Sequence, residues 1–210
     1  MDLFIIIPIL FFSIVLHEFA HGYVAYRLGD DTAYVLGRLT LNPLKHIDIF
    51  GTILVPALCL MSGLPVFGWA KPVPINAARL PSPRQSMGKV GLAGPTANLI
   101  LAVIFAFLMK LTVVSGLFSA ETTQRTFQCL FYGLQINILL AIFNLIPIPP
   151  LDGGHIVAAL LPLNAALRYM SIGRYGMWII LLLILTGVFK FILYPPMYFI
   201  ISLIGKIFGL

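Results

Sequence analysis

Apolar residues fall along this chain in long blocks, not in the short alternation of a water-soluble fold. The first block, from about Leu3 to Leu28, is long enough for a membrane-crossing helix, which needs about 20 residues at ~1.5 Å each. Pro8 predicts a kink in it, and Gly29-Asp30-Asp31 predicts its end. Residues 32–48 mix polar and apolar positions around Gly37, a pattern that favours short strands. The next apolar run, Ile49 to Met61, is short for a crossing and predicts a re-entrant or partly inserted helix. Residues 62–85 are rich in Pro and Gly, and 66–76 reads as extended chain, with proline tolerated only at strand edges. Trp69 suits an anchor at the membrane interface.

Further crossing helices are predicted over about Met87–Val114, Phe127–Ile146, Tyr175–Leu193 and Pro196–Phe208. The run ending at Ile146 stops because Pro147, Pro149 and Pro150 cannot continue a regular helix. The expected architecture is a mainly α-helical membrane protein of five to six transmembrane helices. A small membrane-associated β-sheet and the short re-entrant segment at 49–61 complete it. The apolar runs extend from end to end, so 1–210 reads as one integral-membrane domain.

Composition agrees. Of 210 residues, 60% are hydrophobic and 10% charged, with mean hydropathy +1.02. A soluble domain runs nearer half apolar and a quarter charged, so lipid is the expected solvent for much of the surface. The net charge of +6 does not point to nucleic acid, because the basic residues form no clustered face. It reads as topology instead. Arg27, Arg38, Lys45, Lys71, Arg79, Arg84 and Lys89 place 27–89 on the cytoplasmic side, with Asp2 and the Glu121 loop outside and 152–174 inside again. Cys59 and Cys129 lie in apolar runs and read as buried small hydrophobes. The N-terminal block has no basic n-region and no small-residue cleavage site, so it is expected to stay as a helix.

One constellation carries chemistry. In His17-Glu18-Phe19-Ala20-His21 the two imidazoles sit four residues apart, on one face of a helix, where they can share one zinc ion. Glu18, beside the first of them, can reach a zinc-activated water as general base. Three ionisable groups in five residues at membrane depth are costly without a metal or a partner. Catalytic zinc takes three protein ligands and a water. Val24 and Arg27 stand where a third histidine of the same helix would be, and Glu121 lies in the loop on the far side. His46 and Asp48 read as ordinary surface residues. Asp152 and His155 remain, near the break at 147–154 and near the cytoplasmic end, as the first helix's motif is. A helix broken at membrane depth is tolerated where it lines a cavity. Asp152 is the favoured ligand over a role as helix cap, with His155 beside it as a supporting group or an occasional ligand.

The chain resembles the site-2 protease family, intramembrane metalloproteases. The resemblance rests on His17-Glu18-Phe19-Ala20-His21, on Asn144-Leu145-Ile146-Pro147-Ile148-Pro149-Pro150-Leu151-Asp152-Gly153, and on Gly94-Pro95-Thr96-Ala97-Asn98. It covers a catalytic core of about 3–160, leaving C-terminal helices at about 175–208. It implies Asp152 as third ligand of one Zn2+ per chain, with His17 and His21, and Asn144 as a polar group near the scissile carbonyl. Gly94 and Asn98 read as helix-packing positions. The resemblance further implies that 32–48 and 66–76 form a sheet that pairs with an unwinding substrate by strand addition. No inserted regulatory domain is visible, so this looks like a compact, core-only member.

The expected function is that of a zinc-dependent intramembrane endopeptidase. Glu18 is its base, and the expected substrate is a transmembrane protein or peptide within the lipid bilayer. The expected location is a bacterial-type plasma membrane, multi-pass, with the site toward the cytoplasm. The rival reading, a non-proteolytic zinc-binding membrane scaffold, has no use for Glu18. A transporter would spread ionisable residues over several spans and show repeats.

Overall fold

A computed structural model describes residues 3–62 and 69–210. Its helices are α1 (Leu3–Arg27), α2 (Thr32–Val35), α3 (Val55–Ser62), α4 (Pro83–Ser115), α5 (Ala120–Leu145), α6 (Asp152–Leu160), α7 (Leu163–Met170), α8 (Gly173–Leu185) and α9 (Val188–Phe208). Segments of α1, α4, α5 and α9 are long and apolar enough to cross a membrane, and the pair α7–α8, bent by 55°, would make a fifth. By length and composition these helices suit an integral, multi-pass membrane protein. α4 is the central post, packed against α1, α5 and α6. Ala102, Ala106, Met109, Leu134, Ile138, Met197 and Ile204 fill the core between α4, α5 and α9. Small residues there let helix backbones approach, which drives packing where lipid removes the hydrophobic effect.

The expected β-sheet is not present: the described residues contain no strand. Residues 66–68 of that expectation lie outside the described residues. The segment 32–48 instead folds into α2, a turn at Gly37 with φ +63°, and a 3-10 turn over Pro43–His46 capped by the Asn42 side chain. Residues 69–76 are neither helix nor strand and form a single strap with no ladder. Pro72 and Pro74 remove two donors that a ladder would use. Four of the remaining N–H groups go elsewhere: Trp69 to the Gly51 carbonyl, Lys71 to the His46 carbonyl, Val73 to Glu18 and Asn76 to Asp30. The Arg38 guanidinium takes the Lys71 and Pro72 carbonyls at 2.9 and 3.3 Å. The two segments expected to pair therefore do meet, through a side chain and scattered single bonds.

Helix boundaries also differ: α5 starts at Ala120 where about Phe127 was expected, and α4 at Pro83 where about Met87 was expected. The span expected over Tyr175–Leu193 ends at Leu185, where Gly187 adopts φ +73° and starts α9. α9 then runs through Pro195 and Pro196, the expected break. Neighbouring helices and carbonyl-seeking side chains make proline tolerable inside membrane helices. The 49–61 region is a π-helical turn, Ile49–Leu54, continued by α3. At ~1.5 Å per residue this pair is shorter than the ~30 Å apolar layer.

Candidate metal centre

On α1, Ser13, His17 and His21 recur every fourth residue and share the face turned to α4 and α5, where all three are buried. His17 Nε2 and His21 Nε2 lie 2.9 Å apart. The chain reaches the same point from α5 through a compact turn. Gly153 sits on the Leu145 and Ile146 carbonyls, where a β-carbon would collide with both, and Gly154 packs on Pro149. This turn delivers Asp152 as the first residue of α6. The cap position of α6 is Leu151, so Asp152 stands inside the helix and not at its cap. Asp152 Oδ2 points back to α1, 3.1 Å from His17 Nε2 and 3.3 Å from His21 Nε2.

α4 makes the convergence possible through one glycine face. A β-carbon on Gly91 would stand 3.0 Å from the Asp152 carbonyl, and one on Gly94 would stand 2.5 Å from both histidine Nε2 atoms. Gly94 is therefore required for close approach.

The chemistry of the group fits a cation. His21 Nδ1 donates to the Val90 carbonyl at 2.7 Å, which leaves a lone pair on its Nε2. His17 Nδ1 faces Asn98 Oδ1 at 2.6 Å, with the same consequence. The buried Asp152 Oδ2 has no donor. With both imidazoles neutral, three acceptors converge with no proton between them, an arrangement that repels itself unless a positive ion sits among them. His17, His21 and Asp152 offer ligand atoms within 4.8 Å of one another. Around a tetrahedral zinc with bonds of ~2.0–2.1 Å, ligand atoms lie about 3.3 Å apart. Two imidazoles and a carboxylate are a zinc donor set with a fourth position open.

Glu18 leaves α1 on the side of the strap. Its Oε2 accepts the Val73 N–H at 2.8 Å. The strap is close there, since a β-carbon on Gly22 would meet Val73 Cγ1 at 2.8 Å. Asn144, by contrast, is not brought into the metal group. Its Nδ2 donates to the Leu140 carbonyl of its own helix at 3.0 Å. His155 lies half-buried one turn along α6 from Asp152, with its Cβ near the Gly91 position. His46 is not a surface residue: it is fully buried, with Nε2 on the Thr40 carbonyl at 2.9 Å. Asp48 accepts the Gly51 N–H and caps the π-helical turn.

Two contributors escaped the sequence. Asn98, taken as a packing position, holds His17. Val73 holds Glu18 through its backbone, which no side-chain pattern reports. For Asn98 a signal existed: an amide inside an apolar run, opposite a helix that carries an HExxH motif, is a candidate partner for a ligating histidine.

Comparison with known proteins agrees with this centre. The model of peptidase family M50 matches residues 5–128 and 110–186. "Putative zinc metalloprotease YwhC" of Bacillus subtilis is 42% identical over 87% of this chain and 81% of its own length. "Putative zinc metalloprotease Rip2" of Mycolicibacterium smegmatis is 31% identical over 83% of this chain, which spans 64% of that relative. "Zinc metalloprotease MJ0392" of Methanocaldococcus jannaschii is 28% identical over 73% of this chain and 33% of its own length. No solved structure matches the chain. The cofactor of this centre is Zn2+, and the chain belongs to peptidase family M50, the site-2 protease family.

Proposed function

We propose that the chain is a zinc-dependent endopeptidase that hydrolyses a peptide bond in or near a transmembrane segment of another membrane protein. The observation that carries this reading is the convergence of His17, His21 and Asp152 between apolar helices, with Glu18 on the same turn of α1 as His17. His17, His21 and Asp152 are the zinc ligands. Held by them, zinc would lower the pKa of a water and polarise a carbonyl. Glu18 has one carboxylate oxygen on the Val73 N–H and keeps the other for the proton of the attacking water. It then passes that proton to the leaving amine nitrogen. Asn144 acts, in this reading, on the scissile carbonyl once substrate draws it off its own helix. The positive charge of 27–89 supports a site toward the cytoplasmic side of the plasma membrane.

The test is purified protein incubated with a panel of single-span membrane proteins, products mapped by mass spectrometry. Glu18→Gln is expected to retain zinc and to lose cleavage by at least about 100-fold, the lower range for a general base. Cleavage at the wild-type rate by Glu18→Gln overturns the assignment of the base. A wild-type protein that holds zinc and cuts nothing favours the scaffold reading.

A further inference from the structure

We propose that Ser13, Asn137 and Asn98 form a hydrogen-bond chain that fixes the proton of His17 on Nδ1, and so keeps its Nε2 lone pair turned into the metal group. The proposal rests on the reading of His17 as a zinc ligand. Its starting point is that the bonds have only one consistent direction. Ser13 Oγ lies 2.7 Å from the Ile9 carbonyl, which can only accept, so the hydroxyl proton goes there. Ser13 Oγ is then an acceptor for Asn137, at 2.9 Å. The same Asn137 nitrogen donates to the Gly133 carbonyl at 2.9 Å, so the amide cannot be turned round without setting oxygen against oxygen. Asn137 Oδ1 consequently faces Asn98 and accepts from its Nδ2 at 2.8 Å. That nitrogen also reaches the Ser13 carbonyl at 3.3 Å, which fixes the second amide as well. Asn98 Oδ1 is left for His17, 2.6 Å from Nδ1, and an oxygen there requires Nδ1 to carry the proton.

The alternative arrangement shows what the chain prevents. With Asn98 reversed, an NH2 group would face His17 Nδ1 and call for a lone pair there. The ring proton would move to Nε2, into the space between His21 Nε2 and Asp152 Oδ2 where the cation belongs. Asn98 alone cannot choose between these states, because an amide offers a donor on one side and an acceptor on the other. Asn137 Oδ1 at 2.8 Å makes the choice, aided by the longer contact to the Ser13 carbonyl at 3.3 Å, and the backbone carbonyls of Ile9 and Gly133 settle Asn137. Asn98, Asn137 and Ser13 are all fully buried, from three different helices. Ser13 and Asn137 touch no metal-group atom, so both are positioning residues. Ligating histidines commonly have their second nitrogen held in this way. What is particular here is a second and a third link that set the sense of the first.

The test pairs zinc affinity, read by chelator competition, with a direct reading of the ring proton. Asn137→Leu keeps the volume and removes the direction, and is expected to weaken zinc about tenfold, the lower end for outer-shell partners. No loss of affinity overturns the proposal. A loss of affinity with the His17 ring proton unmoved means that Asn137 only packs, and overturns it too. The second measurement reads the proton itself. In metal-free protein labelled with 15N-histidine, the His17 ring is expected to show protonated Nδ1, and Asn137→Leu to shift it toward protonated Nε2. Wild-type His17 protonated at Nε2 overturns the proposal. His17→Ala assigns the signal, and its effect on zinc affinity tests the ligand reading separately.

Discussion

Gly94 is the residue at which the metal centre has least room. A methyl group there would stand 2.5 Å from both histidine Nε2 atoms, inside any contact that real side chains make. Alanine is also the best helix former, so Gly94→Ala should leave α4 intact while pushing the imidazoles apart. The expected result is a fall in zinc affinity of at least about tenfold, the scale of a disturbed ligand shell, with the helix content by circular dichroism unchanged. A variant that binds zinc as tightly as wild type would mean that the histidines have slack that the structure does not indicate. Sequence reading reached His17, Glu18, His21 and Asp152 because metal chemistry restricts residue type and helix geometry restricts spacing. It took Gly94 and Asn98 for packing, since a glycine beside a metal and a glycine beside a helix look alike in one dimension. Ser13 and Asn137 went unnoticed for a related reason. Interhelical hydrogen bonds within membranes average only about 0.6 kcal/mol, so isolated polar residues in apolar runs carry little weight until their partners are known.

At the scale of elements, the long helices were legible and the strap was not. Apolar runs determine α1, α4 and the end of α5 closely, because a membrane demands length and satisfied backbone groups, while the polar first turns of α5 from Ala120 carry no such signal. The strap at 69–76 depends on particular acceptors that lie far away in sequence. Asp30 is its anchor at the end of α1, fully buried, taking the Asn76 N–H at 2.6 Å on one oxygen and the Thr32 N–H and hydroxyl on the other. Burial alone would raise the Asp30 pKa. The bonds from Thr32 and Asn76, with the charge of Arg79, outweigh that and hold it below the ordinary carboxylate value. A carboxylate with a lowered native pKa stabilises the fold above its unfolded pKa and loses that contribution as pH falls through the native value. Asp30→Asn should therefore melt below wild type at neutral pH, and the gap should close below about pH 4, where the unfolded carboxylate takes up its proton. A gap of constant size from neutral pH to about pH 3 would mean that the charge of Asp30 does not hold the strap.

For the whole molecule, the crossing helices make a prediction about sides. With α1, α4 and α5 each crossing once, the strap and the α6–α7 region share one side, and the turn before α5 faces the other. Single cysteines at Lys71 and Arg168, in a background without Cys59 and Cys129, should resist a membrane-impermeant thiol reagent in intact cells. One at Glu121 should react. Labelling of Lys71 and Glu121 positions from the same side would break this arrangement. The order in which the chain enters the membrane gives the metal group a further property. Two of its members are on α1, but the third arrives only with Asp152, after α4 and α5 have been made. A chain synthesised only as far as α5 thus holds an incomplete metal group. Under the proposed function, such a chain carries no cutting centre and leaves its neighbours in the membrane intact.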